Sequence, residues 1–125
     1  MNMKETLKEH LRIIYKALDD KKAEDIQIID ISEVSPMADY FVIASGNNVN
    51  QVHALCDNVS EELAKTKVLT KQTEGYTAGN WILMDYGDII IHIFDRESRS
   101  FYDLERIWKD AKNVTEEYET NYFFE

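Results

Sequence analysis

Ser45 and Gly46 form a turn whose residue types and position could support phosphate chemistry. They lie between a predicted strand and a predicted helix, and backbone N–H groups at a helix start can bind a phosphate. Phosphoryl transfer also needs carboxylates that hold a metal ion, and the candidates are Asp85, Asp88, Asp95 and Glu97. The strand after that helix ends at Asp85 and carries no Asp-x-Asp pair, whereas Asp95-x-Glu97 follows the last strand. The positions of these acids favour roles in turns and helix caps. A nucleotidyltransferase with unconventional metal ligands is therefore the alternative to a binding protein.

Three histidines and one cysteine are the other candidates for catalysis or metal binding. His10, His53 and His92 fall on three different predicted elements and lack the spacing of metal ligands. His53 and Asp57 are one helical turn apart, which is typical of a surface contact. We expect His92 to be a hydrogen-bonded core histidine and Cys56, on the apolar side of its helix, to be an inert packing group. The sequence thus predicts no catalytic residue, no metal and no cofactor.

The charge of the chain narrows the class of partner. Its 125 residues include 14 Lys and Arg against 24 Asp and Glu, a formal net charge of −10. A bare phosphate backbone repels such a chain, so we expect no direct DNA binding, whereas a basic protein would be attracted. No apolar run approaches the ~20 residues that span a bilayer, and the first residues lack the apolar segment of a secretion signal. We expect a cytoplasmic protein with no membrane segment.

Hydrophobic periodicity indicates an α/β fold. The predicted helices cover residues 4–18, 49–67 with Asn48 as the N-cap, and a stretch from about Ser98. The predicted strands cover 25–31, 40–44, 80–86 and 88–94, and residues 68–73 are an ambiguous edge strand. The strand over 40–44 is apolar on both faces, so we expect helices to cover it on each side. This order predicts a mixed sheet flanked by helices.

The strands over 80–86 and 88–94 meet at Gly87. So short a link requires an antiparallel hairpin in which Gly87 is free to take a positive φ. Alternation along the first strand places Trp81, Leu83 and Asp85 on one face and Ile82, Met84 and Tyr86 on the other. We expect one set to line the core and the other to place a Trp or Tyr beside acids on an exposed face, as in a protein-binding hot spot. Periodicity does not decide which set is outside, and helices over both faces are the alternative.

The last residues differ in composition from the rest. Beyond Lys112 the chain carries four glutamates and no base, with tyrosines and phenylalanines among them. We assign residues 1–112 to a single α/β domain and residues 113–125 to an acidic aromatic tail. We expect this tail to be solvated and flexible, with a docking segment as the alternative.

Several stretches of the sequence together form a family pattern. They are 39–47 with Gln51-Val52, Glu74-Gly75 with Gly79-x-Trp81, 85–94, and Arg99-x-Phe101-Tyr102-x-Leu104-Glu105-x-x-Trp108. On these residues the sequence resembles the ribosomal silencing factor family, also called Iojap. The resemblance extends from about Asp25 to Ala111, and the run over 85–94 is highly specific.

The resemblance implies a nucleotidyltransferase-like fold without catalytic residues. It also implies that the chain binds the large ribosomal subunit through ribosomal protein L-fourteen. Occupying that protein would block association with the small subunit and repress translation under nutrient limitation. A homodimer is implied for the free chain, and a pure dimerisation module is a third possibility. The family's binding surface carries over to Trp81, Asp85, Tyr86 and Asp88, with Gly75, Gly79 and Gly87 shaping the loops.

Overall fold

A six-stranded mixed sheet with helices on both faces forms the fold. The structure is a computed structural model and describes residues 2–123. In chain order its elements are α1 (Met3–Asp20), β1 (Glu24–Asp30), β2 (Tyr40–Gly46), α2 (Val49–Ala64), β3 (Gln72–Glu74), β4 (Trp81–Asp85), β5 (Ile89–Asp95), α3 (Arg96–Tyr102), α4 (Leu104–Ile107), β6 (Lys112–Asn113) and α5 (Thr115–Phe123). The strand order is β3-β4-β5-β2-β1-β6. The predicted α/β class is confirmed, and the nucleotidyltransferase-like detail stays a prediction.

A parallel pair of strands, β2 and β5, lies at the centre of the sheet. Tyr40 is opposite Ile89 at one end of the pair, and Gly46 is opposite Asp95 at the other. All seven residues of β2 are buried, which confirms the predicted strand covered on both faces. β4 and β5 pair antiparallel, which confirms the hairpin.

The helices α1, α2 and α5 pack on one side of the sheet, which we call the first face. Asn2 and Asn48 cap α1 and α2, and each side chain accepts a hydrogen bond from the backbone N–H three residues later. The apolar stripes of α1 and α2 meet the strands in one cluster, whose fully enclosed members include Leu11, Ile14, Leu18, Leu55, Val59, Ile82, Met84 and Ile91. Within residues 2–123, no helix combines the length and the apolar character needed to cross a membrane.

The short helices α3 and α4 lie on the opposite side of the sheet, which we call the second face. They replace the single helix that was predicted from about Ser98. The apolar spacing after Ser98 predicted a single amphipathic helix, but the chain breaks at Asp103, which has a φ of +47°. Aspartate tolerates this left-handed conformation better than most residues. The break changes which side chains face inward: Leu104 is buried, whereas Phe101 and Ile107 are exposed.

The end of the chain also differs from the expected solvated tail. β6 pairs with β1, and the hydroxyl of Thr115 accepts a hydrogen bond from the backbone N–H of Ile28 at 2.8 Å. Val114 and Tyr118 are buried in the first-face cluster, and the Tyr118 side chain is only 3% exposed. These contacts correct the expectation for this stretch, because an aromatic ring and a strand partner hold it against the sheet. The division of domains at residue 112 stays a prediction, and Phe124 and Glu125 lie outside the described residues.

Candidate protein-binding site

Side chains on β4 alternate between the two faces of the sheet. Trp81 and Leu83 are partly buried against the second face, whereas Ile82 and Met84 are enclosed on the first face. Asp85 is partly buried and, by the same alternation, lies on the side of Trp81. The structure therefore decides what the sequence left open, since the set with Trp81 is the outer one.

Three aromatic neighbours hold the indole ring of Trp81. The centroid of its ring lies 5.0 Å from that of Phe94 on β5 and 4.5 Å from that of Tyr102 on α3. The indole N–H donates a hydrogen bond to Nδ1 of His92, with 3.0 Å between the two nitrogens. His92 is buried, which confirms the predicted hydrogen-bonded core histidine. Trp81 thus presents a fixed and partly exposed ring.

Exposed apolar side chains extend this surface beyond Trp81. Phe101 is 80% exposed, and its ring contacts that of Tyr102 at a centroid distance of 5.1 Å. Leu83 and Trp108 are partly buried against the same second-face cluster. We call these five residues the aromatic surface: Trp81, Leu83, Phe101, Tyr102 and Trp108. The sequence did not mark Phe101 as part of a site, because an unbroken amphipathic helix would turn it towards the core.

Asp85 and Asp88 flank the turn of the hairpin and have different surroundings. The Asp85 carboxylate accepts a hydrogen bond from the backbone N–H of Gly87 at 2.7 Å and so shapes the turn. Asp88 is exposed, and its backbone carbonyl accepts hydrogen bonds from the backbone N–H groups of Asp39 and Tyr40. The Asp88 carboxylate can therefore meet a partner without disturbing the turn, whereas that of Asp85 has a structural contact.

The structure does not bring Tyr86 together with Trp81. Tyr86 packs against the first-face cluster and, with Leu7, Ile14 and Leu63, lines a cavity of about 120 Å³. Its hydroxyl is buried without a hydrogen-bond partner, and burial raises the pKa of this hydroxyl to about 12. Of the four predicted binding residues, Trp81 and Asp85 share a side of the sheet. Tyr86 faces the helices, and Asp88, at the hairpin turn, lines the same cavity as Tyr86.

The three predicted loop-shaping glycines, Gly75, Gly79 and Gly87, all have positive φ angles, of +80°, +72° and +89°. At two of them a larger residue is also excluded by space. A Cβ on Gly75 would collide with the backbone carbonyl oxygen of Trp81, and one on Gly79 would lie 2.7 Å from Cγ1 of Val49. These close approaches fix the path of the chain into β4, and with it the start of the strand that carries Trp81.

The loop before β4 is also tied to α2 by Tyr76. Its ring stacks on that of His53 at a centroid distance of 4.4 Å. The Tyr76 hydroxyl donates a hydrogen bond to the Asp57 carboxylate at 3.0 Å. His53 and Asp57, one helical turn apart, therefore hold this loop in place.

Comparison with known proteins identifies the family of this chain. A family model described as "Ribosomal silencing factor during starvation" matches residues 4–122. The chain belongs to the ribosomal silencing factor family. The protein named ribosomal silencing factor RsfS from Bacillus subtilis is 40% identical over 104 residues, which cover 83% of this chain and 88% of that protein. The protein of the same name from Zymomonas mobilis is 42% identical over 98 residues, 78% of this chain and 74% of that one.

The fold is also similar to that of a solved structure. The crystal structure of a protein from Chromobacterium violaceum superposes with a TM-score of 0.79 and 31% sequence identity. The match covers 82% of this chain and 85% of that one. This chain therefore shares its mixed sheet and flanking helices with the Chromobacterium violaceum protein.

Several of the groups that could support phosphate or nucleophile chemistry make structural contacts or are buried. The Gln51 carboxamide oxygen accepts the hydrogen bond of the Asn47 backbone N–H at 2.6 Å, at the place where a phosphate would bind. The Asp95 carboxylate caps α3. Burial raises the pKa of the Cys56 thiol to about 11. Among the residues that the structure describes, no three His, Cys, Asp or Glu side chains are grouped to hold a metal ion.

Arg99 on α3 is a buried charge that the sequence did not mark. Its side chain is 8% exposed and forms ion pairs with Asp25 at 3.2 Å and Glu105 at 3.0 Å. It also donates hydrogen bonds to the backbone carbonyl of Asp25 at 2.8 Å and to the Ser45 hydroxyl at 3.1 Å. These partners are 6 to 74 positions away along the chain, so no local pattern identifies them. Arg99 connects α3 and α4 to the start of β1 and the end of β2.

We predict that Arg99→Ala lowers the free energy of unfolding by ~3 kcal/mol, because it leaves buried acceptors and the Glu105 carboxylate without their partner. Chemical denaturation monitored by circular dichroism measures this change. The matched control is Arg96→Ala on the same helix, since Arg96 is 67% exposed in its ion pair with Glu24 and solvent screens that pair. Equal stability of the two variants would contradict a structural role for Arg99.

Proposed function

We propose that this chain represses translation by binding ribosomal protein L-fourteen of the large ribosomal subunit. Its aromatic surface contacts that protein, and the bound chain sterically blocks association with the small subunit in the cytoplasm when nutrients are limiting. Membership of the ribosomal silencing factor family supports the ribosome as the target. The observation that carries the choice of surface is the exposed aromatic group around Trp81.

The aromatic surface has the composition of an interaction hot spot. Tryptophan and tyrosine contribute a large share of binding energy at protein interfaces, because they bury much area with few rotatable bonds. Trp81 and Tyr102 are held in ring contact, and Phe101 extends from the same helix into solvent. Isolated exposed apolar side chains are ordinary, but a contiguous aromatic group on one face is not. This face is therefore the part of the described chain best suited to a protein partner.

Charge supports a basic partner. The chain has a net charge of −10, and Asp85 and Asp88 lie at the hairpin end of the strand that carries Trp81. Complementary charge increases the rate of encounter and disfavours wrong partners. We leave Tyr86 out of the contact, because its hydroxyl is buried on the first face. The catalytic alternative receives no support from Asp85, which shapes a turn, or from Asp95, which caps a helix.

We also propose that the free chain forms a homodimer. A single copy leaves Phe101 and Tyr102 exposed to water, and pairing of apolar surface is a common way to bury such groups. Sedimentation velocity at micromolar concentration is expected to show a dimer. A monomer throughout that range would contradict this proposal without affecting the ribosomal one.

Trp81→Ala and Phe101→Ala are expected to weaken binding to purified large subunits by about thirtyfold each, the effect of losing ~2 kcal/mol at an aromatic anchor. Co-sedimentation through a sucrose gradient measures the binding, and the height of the joined-ribosome peak measures the block. Phe101→Ala is the sharper variant, because its exposed ring can be removed with little change in melting temperature.

Two matched variants serve as controls for this experiment. Leu69→Ala removes an apolar side chain of similar exposure that is not part of the aromatic surface, and Tyr86→Phe removes only the buried, unpartnered hydroxyl. Both should bind like the unaltered chain, and neither should melt at a lower temperature. Comigration of the chain with small subunits alone, or normal binding by Phe101→Ala and Trp81→Ala, would refute the proposed surface.

Reversal of the Asp88 charge tests electrostatic attraction separately from apolar contact. Asp88→Lys should slow association with large subunits roughly tenfold at low salt, with a smaller effect at high salt. Stopped-flow association kinetics over a range of salt concentrations measure both effects. Glu61→Lys makes the same change in net charge on α2, and an equal effect in that control would assign the result to overall charge alone.

A further inference from the structure

The hydrogen bond between Trp81 and His92 joins the aromatic surface to the interior of the sheet. The indole N–H of Trp81 is the donor, and Nδ1 of His92 on β5 is the acceptor, at 3.0 Å. His92 is 4% exposed. Because Nδ1 accepts a hydrogen bond, it carries no hydrogen, and the neutral ring has its hydrogen on Nε2. The side chain is therefore committed to one tautomer.

The surroundings of His92 keep it in this state. Its ring lies between Phe41, at a centroid distance of 4.8 Å, and Phe94, at 6.3 Å. Nε2 is buried without a hydrogen-bond partner in the described part of the chain. Burial lowers the pKa of His92 to about 4, so the ring is neutral near pH 7. A neutral imidazole remains a hydrogen-bond acceptor, whereas a protonated one would release the indole.

The indole ring is constrained from other directions as well. Phe94 lies beneath it on the sheet and Tyr102 lies against it from α3. Its only polar atom points inward to His92, so the exposed part of the side chain is carbon. A partner at this position meets an apolar ring whose orientation is already set.

We propose that His92 is a positioning residue for partner binding, which holds Trp81 so that the partner contacts a fixed indole ring and finds no free indole N–H. The inference rests on the proposed function, because it assigns Trp81 to the interface. It also defines the chemistry of the partner at this point. An apolar side chain, or the aliphatic stem and cation of a lysine or arginine, fits the ring, whereas a hydrogen-bond acceptor gains nothing from it.

The expected benefit of this arrangement is preorganisation. A side chain that is mobile in the free protein must be ordered on binding, and this ordering weakens the affinity. Without the acceptor, the indole N–H would also lose its internal partner and the ring could rotate. We expect His92→Leu to weaken binding to large subunits roughly tenfold, the size of one such ordering cost.

The experiment combines binding with nuclear magnetic resonance. His92→Leu removes the acceptor, whereas His92→Asn retains an oxygen close to the position of Nδ1 and should preserve most of the affinity. In a Trp81→Phe background, which lacks the donor, His92→Leu should cause no further loss. A purely structural role of His92 would give the same loss in both backgrounds, and that result would overturn the inference.

Nitrogen-15 spectra of the unaltered chain test the hydrogen bond itself. The ring of His92 should show a hydrogen on Nε2 and none on Nδ1, and the Trp81 indole N–H should exchange slowly with solvent. A Trp108→Phe variant distinguishes the two indole signals. A hydrogen on Nδ1, or a rapidly exchanging Trp81 indole, would overturn the inference even if His92→Leu failed to fold.

The outcomes also separate this inference from the proposed function. If the unaltered chain does not bind large subunits, the proposed function fails, and the role of His92 in binding fails with it. If the chain binds and Trp81→Ala abolishes binding, but His92→Leu binds normally, only the positioning role is overturned.

Discussion

The buried guanidinium of Arg99 is the contact on which the second face of the sheet depends. It joins α3 and, through Glu105, α4 to the irregular start of β1, where Asp25 has a φ of +48°. Both helices are short, seven and four residues, and helices of that length have little stability of their own. Their position therefore follows from tertiary contacts. Because Tyr102 ends α3, the same contacts determine where its ring meets Trp81.

The two faces of the sheet are covered to different extents, and this difference allows one strand to serve both stability and binding. On the first face, α1 and α2 enclose Ile82 and Met84 completely. On the second face, α3 and α4 leave Trp81 and Leu83 partly open. A parallel central pair needs cover on both sides, and β2 and β5 receive it. The incomplete cover falls over β4, towards one edge of the sheet, where an aromatic ring can reach both the core and a partner.

The sequence predicted the elements whose signals are local. Alternation along β4, the short link at Gly87 and the apolar stripe of α1 each follow from a few adjacent residues. The burial of Tyr118 could not be predicted in this way, because its segment is held by a contact with the distant strand β1. The break at Asp103 has no signal in the apolar spacing. The same limit applied to the candidate site. Periodicity separated Trp81 from Tyr86, but which of them faced outward depended on where the helices pack.

Two of the buried polar atoms without a partner lie close to the aromatic surface. They are Nε2 of His92 and Oε1 of Glu105, and each belongs to a side chain whose other polar atom makes a hydrogen bond that positions a neighbour. An unpartnered buried polar group costs ~1–3 kcal/mol, a cost that an apolar residue at either position would avoid. Such a residue could not accept the indole N–H of Trp81 or the guanidinium of Arg99. The fold therefore tolerates two unpartnered polar atoms next to side chains that orient Trp81 and Arg99. This pattern is expected of a binding surface whose side chains are ordered before the partner binds.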